Sequence, residues 1–249
     1  MSEAAELLIE DDGAVVTVTF NRPRVRNALS TGLLAELANV LGGFAAAPAD
    51  RAPRALLLTG AAGTFSSGAD TREPDWRDLS RRAVRRRHFR SVLQSLHQAP
   101  FPLIAAVEGY ALGGGLEFAL ACDLVVTGEG AQFGLPELEV GAVPGGGAVH
   151  SLIRRAGRGT AARLLLVPGL RVTGAELGRL GAVEFVVPDG TAVAAGRDLA
   201  TRIAGQRADL LTAGVRLLRD SGHLDRTSAL ATEDGHWWAA AIAQPAADD

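Results

Sequence analysis

The chain has 249 residues, 47% of them hydrophobic, and a net charge of −3. It is long enough for one large domain with a sizeable core, and its charge excludes general nucleic-acid binding as the main task. A single cysteine, Cys122, excludes an internal disulfide and fits a reducing compartment.

Residues 14–20 alternate, with Ala14, Val16, Val18 and Phe20 on one side, which predicts a half-buried strand ended by Asn21-Arg-Pro23. Ser30 is placed to cap a helix through Leu33, Leu34, Leu37, Val40 and Leu41. Ala55–Thr59 reads as a short buried strand closed by Gly60, followed by a polar loop to Asp70. Residues 80–98 read as a helix stopped by Pro100 and Pro102. Leu103–Val107 is a strand, Gly113–Ala121 a helix, and Leu124–Thr127 another strand. From about Gly147 the chain turns mainly helical, with a last short strand at Val183–Val187 and helices over 191–219. Strands alternating with helices, then helices alone, imply an α/β core with a helical extension. The N-terminus lacks a signal pattern and no apolar run reaches bilayer length, so the reading is a cytoplasmic protein that does not enter a membrane.

Two glutamates stand beside glycine-rich turns. Glu117 closes Gly109-Tyr-Ala-Leu-Gly-Gly-Gly-Leu-Glu117, and Glu137 closes Phe133-Gly-Leu-Pro-Glu137. Gly113–Gly115 opens a helix, whose first N–H groups have no internal partner and can face an anion. The loop Phe65-Ser-Ser-Gly-Ala-Asp70 can offer a second donor, and two donors make an oxyanion hole. Each segment also has a plainer reading: a tight turn, a carboxylate complementing the helix dipole, a solvated loop charge. Glu139 is a competitor that the residues alone do not separate from Glu137.

Other chemistries lack their residues. All 25 basic residues are arginine, which removes Walker A, Schiff-base and pyridoxal-phosphate lysines. Phe118 breaks Gly-x-Gly-x-x-Gly, no Gly-x-Ser-x-Gly surrounds Ser66 or Ser67, and the five histidines show no metal spacing. Cys122 reads as a core residue, and Trp237 and Trp238 as packing or interface residues. Arg81, Arg82, Arg85, Arg86, Arg87 and Arg90 read as a solvated or subunit-facing flank of their helix, with Ala83, Val84, Phe89, Val92, Leu93 and Leu96 inward. A phosphate or nucleic-acid patch is the sharper alternative.

In order, Asn21-Arg-Pro…Asn27-Ala-Leu29, Phe65–Asp70, Pro102–Glu117, Ala121-Cys-Asp123, Ala131–Glu137 and Gly141–Gly147 closely resemble the enoyl-CoA hydratase/isomerase (crotonase) family, and Val172–Glu176 and Leu180–Val183 match more weakly. The resemblance implies an α/β fold, a crotonase-like spiral of ββα units with a helical C-terminal region. It implies a core over residues 1–190 and a helical region over 191–249, shortened relative to the family and without its closing helical pattern.

The resemblance also implies roles. The N–H groups of Ala69 and Gly114 would hold a thioester oxygen. Glu117 and Glu137 would activate water and deliver a proton to the α-carbon of a 2-enoyl-CoA, or run the reverse dehydration. Arg24, Val25 and Arg26 match the loop that contacts coenzyme A, and Arg72 a position near the nucleotide. Gly68, Asp70, Gly113, Pro136 and Gly145 fall in the matched binding motifs, and Phe89 and Leu93 would touch the acyl chain. The implied partners are an acyl-CoA substrate and copies of the chain in a homotrimer or hexamer, with no nucleic acid or membrane. No metal or cofactor is implied beyond the coenzyme A of the substrate. Within the fold, isomerase, decarboxylase or thioester hydrolase chemistry are alternatives, as is a silent scaffold or RNA-binding member.

Overall fold

The computed structural model describes residues 5–48, 51–73, 78–222 and 224–242. Among them the chain runs β1 (Leu7–Asp11), β2 (Val15–Phe20), α1 (Thr31–Ala46), β3 (Ala55–Gly60), α2 (Leu79–Gln98), β4 (Leu103–Val107), β5 (Tyr110–Leu112) and α3 (Gly114–Ala121). It continues through β6 (Leu124–Gly128), β7 (Gln132–Gly134), α4 (Ala148–Leu166), β8 (Val172–Thr173), α5 (Gly174–Arg179) and β9 (Phe185–Val187). The last elements are α6 (Ala192–Ala204), α7 (Ala208–Ser221) and α8 (Arg226–Ile242). Within the described residues, no helix is long and apolar enough to cross a membrane.

Six strands form the main sheet in the order β1-β2-β3-β4-β6-β9. β1 pairs antiparallel with β2, and every other pair in that sheet is parallel. Alternation sorts the side chains. Val16, Val18, Leu56, Leu58, Leu103 and Ala105 enter the larger core, over which Leu33, Leu34 and Leu37 of α1 and Val92 and Leu96 of α2 pack. Val15, Leu57, Ile104 and Ala106 face the other way, onto Ala192 and Ala200 of α6. β2 is therefore buried on both faces, not on one as its alternation suggested, because α6 returns from the far end of the chain to cover it. The approach is close: a Cβ on Gly196 of α6 would lie 2.9 Å from Leu57 Cδ1.

A small second sheet, β5-β7-β8, positions the site. β5 and β7 run parallel, with Leu112 opposite Gly134. The loop after β3 joins its edge through the bridge Ser66↔Ala111, where Ser66 N donates to Tyr110 O and Leu112 N to Ser66 O. The signature Asn27 holds that loop. It is fully buried with φ +53, a region asparagine tolerates better than most residues. Its Nδ2 donates to Thr64 O at 2.5 Å and to Ala61 O at 3.0 Å.

Ser30 caps α1 as its sequence indicated, accepting from Leu33 N at 2.9 Å. Near the end, α8 occupies residues 226–242, inside the region expected to be helical. It buries none of the described residues. Trp237 and Trp238 lie 62% and 55% exposed and pack edge-on against each other. Arg219 of α7 ties this end to the sheet: its Nη2 and Nε bind Asp123 at 2.6 and 2.9 Å, and Nη1 donates to Ala99 O at 2.6 Å.

Candidate active site

Gly113 ends β5 and starts α3, and its own N–H donates to Gly134 O of β7 at 2.9 Å. Parallel pairing of β5 and β7 thus brings both glycine-rich turns to one end of the small sheet. Glu117 sits in the first turn of α3, and Glu137 sits three residues past β7 in a short 3-10 turn, Pro136–Val140. A Cβ on Gly113 would lie 3.0 Å from Glu137 Oε1, so glycine there lets the carboxylate close over the turn. The loop of Gly68 and Ala69 arrives on the same turn, since a Cβ on Gly68 would lie 2.6 Å from Leu112 O and 3.6 Å from Gly114 N.

The N–H groups of Ala69 and Gly114 donate to no acceptor among the described residues. Gly114 N opens a helix, where an unpaired amide is expected. Ala69 N is left over because the bridge to Leu29 uses Gly68 O and Asp70 N. Ser66 Oγ donates to Asn27 O at 2.8 Å and accepts from Gly68 N at 3.1 Å, so this serine fixes the loop and does not face a substrate.

The two carboxylates differ. Glu117 is 4% exposed, and its Oε1 accepts from Gly145 N at 2.9 Å and from Gly146 N. Burial raises its pKa; those two amides and the charge of Arg86 oppose the rise without cancelling it. Glu137 Oε2 is buried with no hydrogen-bond partner among the described residues. Burial, only partly offset by its own backbone N–H and reinforced by the charge of Glu117, pushes Glu137 up to about 7. One carboxyl is thus held by two backbone donors, and the other keeps its proton to a higher pH than an ordinary carboxyl. Glu139 lies elsewhere: it is exposed and accepts from Gly169 N at 2.8 Å.

Two cavities meet here. The first, about 460 Å³, is lined by Leu29, Ala69, Phe89, Gly114, Glu117, Glu137 and Gly145 among others. The second, about 330 Å³, is lined by Val25, Arg26, Gly68, Ala69, Asp70, Arg72, Gly113, Gly114, Pro136 and Glu137. They share Ala69, Gly114 and Glu137, which places the unpaired amides and one carboxylate at the junction. A ligand threaded through both would carry its reactive centre past these groups.

The chain belongs to the enoyl-CoA hydratase/isomerase family. The family model matches residues 10–233. A 2,3-dehydroadipyl-CoA hydratase of Escherichia coli (strain K12) is 37% identical over 230 residues, 92% of this chain and 88% of that protein. A probable enoyl-CoA hydratase of Rhizobium meliloti (strain 1021) is 40% identical over 184 residues, 74% of this chain and 69% of that one. The crystal structure of an enoyl-CoA hydratase from Bacillus anthracis superposes with a TM-score of 0.87 at 30% identity, covering 94% of this chain and 90% of that one. The fold is therefore that of the enoyl-CoA hydratase/isomerase family, and this member is an enzyme, a carbon–oxygen lyase.

Most residues singled out from the sequence gather at the two cavities, with two exceptions. Arg24 is exposed on the turn Pro23–Val25 and lines neither cavity, whereas Arg26 lines the second and stands over the Tyr110 ring at 5.4 Å. Leu93 lines a separate cavity with His97, Leu120 and Cys122. Phe89, one turn before it, stacks on Phe118 at 4.8 Å. Arg72 grips Asp70 at 3.0 Å while 63% exposed, so it stands at the rim of the second cavity.

Sequence reasoning missed part of the wall. Arg82, Arg85 and Arg86 line the first cavity, and Arg85 is buried while Val84 is exposed, the reverse of the expected inward set. Their spacing from Phe89, at 82, 85, 86 and 89, is one face of a helix and was the available signal. Gly146 was also missed; a Cβ there would lie 2.8 Å from both Glu117 Cδ and Phe89 Cε1.

Proposed function

We propose that the protein adds water syn across the double bond of a 2-enoyl-CoA thioester, or removes it in reverse. The coarser activity, acyl-CoA hydration, rests on the family. The finer mechanism is supported above all by a buried carboxyl, Glu117, and a half-buried one, Glu137, beside two amides that lack acceptors among the described residues. In this reading the coenzyme A arm follows the second cavity, the acyl group fills the first, and the thioester oxygen takes the N–H groups of Ala69 and Gly114.

Each step balances. Glu117, held as carboxylate, takes a proton from water as the oxygen bonds to the β-carbon. The π pair moves through the α-carbon onto the thioester oxygen, where the two amides stabilise it, each by about 3 kcal/mol. The pair then returns to the α-carbon, which takes the proton of Glu137. A proton passing from Glu117 to Glu137 restores the site. Water and the thioester supply every atom, so the proposed chemistry calls on no metal or cofactor.

The relatives' names do not agree on an acyl group: one specifies 2,3-dehydroadipyl-CoA and the other only enoyl-CoA. The test is mass spectrometry of the protein with short, medium and branched 2-enoyl-CoAs. A gain of one water is expected. A shifted double bond, lost carbon dioxide or freed coenzyme A instead would replace this reading.

We further propose a cytoplasmic trimer or hexamer. Leu79 (81% exposed), Val143 (75%) and, at the end of α8, Ile242 (80%) leave apolar surface for a partner to cover. Sedimentation is expected to give three or six times the 25.8 kDa chain mass; a monomer at micromolar concentration would end that proposal.

A further inference from the structure

The acyl cavity has an unusual charge for a hydrocarbon site. α2 contributes Leu79, Arg82, Ala83, Arg85, Arg86 and Phe89 to its wall. Spacings of three and four put these on adjoining stripes of one helix face. The arginine run is therefore divided: part of it faces the cavity, while Arg81, Arg87 and Arg90 are exposed and line neither cavity.

The face leads outward from the reacting centre. The Phe89 ring and the Glu117 carboxyl flank Gly146. The Arg86 guanidinium carbon lies 5.7 Å from the centre of that ring. Arg82 begins about 10 Å further along the helix axis than Phe89, at 1.5 Å per residue. An extended acyl chain leaving the carboxylates meets Arg86 first and Arg82 next.

The cavity's own carboxyls compete weakly for these charges. Glu117 is engaged by two amides, and burial favours the neutral form of Glu137. Arg85 is spoken for: Nη1 donates to Leu29 O at 2.7 Å and pairs with Glu73 at 3.4 Å. Arg86 has donors to spare, since it uses one N–H on Gly145 O at 2.6 Å and a guanidinium carries five. Between the two ends the wall is apolar, from Leu29, Leu79, Ala83, Ala142 and Val143. A plain alkyl chain would displace water from the guanidinium groups and give nothing back. A chain with an anionic end would fill the apolar stretch and meet charge with charge.

We propose that the acyl group ends in a carboxylate a few carbons beyond the double bond, and that Arg86 and Arg82 bind it. The planar guanidinium matches a carboxylate through two parallel N–H···O bonds, a geometry that lysine cannot copy. The inference rests on the hydratase reading only for which end of the thioester enters this cavity.

The experiment uses saturated thioesters, which cannot take up water: hexanedioyl-CoA and octanedioyl-CoA against hexanoyl-CoA and octanoyl-CoA, by calorimetric titration. One diacid of the pair is expected to bind about 10- to 100-fold tighter than the monoacid of equal length, and the gap should narrow with added salt. Arg82→Gln and Arg86→Gln are expected to shrink that ratio, and Arg82→Lys to keep part of it. Arg86→Gln also loses the Gly145 contact, so it is read beside Arg82→Gln, with thermal melting of both to check the fold. Equal or tighter binding of both monoacids overturns the proposal, as does a ratio unchanged in both glutamine variants. The matching 2-enoyl pairs, read by gain of water, test hydration separately. A diacid preference in binding without any hydration would remove the hydratase reading and leave the carboxylate site standing.

Discussion

Glu137→Gln is expected to lower kcat for hydration by about 10²- to 10⁴-fold while KM stays within a few-fold. Glutamine keeps the shape of the side chain and the apolar contacts of both cavities, so thioester binding survives. What is lost is the proton for the α-carbon. Measured kcat and KM on one good 2-enoyl-CoA decide it, and a variant within tenfold of the parent kcat would remove Glu137 from the proton path. Glu117→Gln should cost a similar factor by a different route, since an amide cannot take the proton from water.

The pH profile tests the assignment in both directions. The pair works with one proton shared between its two carboxyls, on Glu137 for hydration and on Glu117 for dehydration. With the pKa of Glu137 pushed up to about 7 by burial, kcat/KM for hydration should fall as pH rises through about 7. Dehydration should fall in parallel, because the reaction takes up no net proton and its equilibrium constant does not vary with pH. A profile flat across pH 7 would contradict the assignment. Stability carries the same signature. A carboxyl whose pKa is raised by folding contributes stability that is full below its unfolded value and lost as pH climbs through about 7. Glu137→Gln should therefore be more stable than the parent at pH 8, by on the order of 1–2 kcal/mol after allowing for partial solvent screening, and close to it at pH 4. A variant less active yet more stable is the expected pattern for a functional group held at a cost.

Local signals were legible in this sequence and long-range ones were not. Ser30 and the apolar positions of α1 declare a capped helix within a dozen residues, and Leu56–Leu58 declare a buried strand. The second buried face of β2 depends on α6, more than 170 positions away, which no local pattern encodes. β5, β7 and β8 have two or three residues each, too few for periodicity, and exist through pairing with one another. At the site, Glu117 and Glu137 were found through motifs, and Glu137 could be told from Glu139 only by resemblance. The structure supplies the physical difference: Glu137 turns into the cavity junction, while Glu139 caps Gly169. The arginines of α2 were read as a solvated or subunit-facing flank, whereas Arg82, Arg85 and Arg86 line the first cavity. Leu93 was placed at the acyl chain by resemblance, whereas in the structure it lines a separate cavity with His97 and Cys122.

The oxyanion donors are backbone groups, so no side-chain deletion removes them, but the residue that carries one can be made to move. Gly68→Ala is the variant to make. Gly68 has φ +89, where an L-residue is strained, and its new Cβ would lie 2.6 Å from Leu112 O, a backbone atom of β5. The loop must back away from β5, and Ala69 N retreats from Gly114 N with it. If those two amides hold the thioester oxygen, kcat should drop by about 10²- to 10³-fold, the usual cost of losing one such donor. The strain should also lower stability by about 1–3 kcal/mol, small enough for a folded protein to be assayed. Gly63→Ala is the control. It sits on the same connection with φ +68, but its Cβ would meet nothing within 4 Å. It should cost a similar strain energy and leave kcat within a few-fold. Equal loss of kcat in both variants would mean that loop strain alone lowers activity, and the Ala69 amide would lose its role. A large loss confined to Gly68→Ala would tie catalysis to the spacing of two amides that the Ser66↔Ala111 bridge sets.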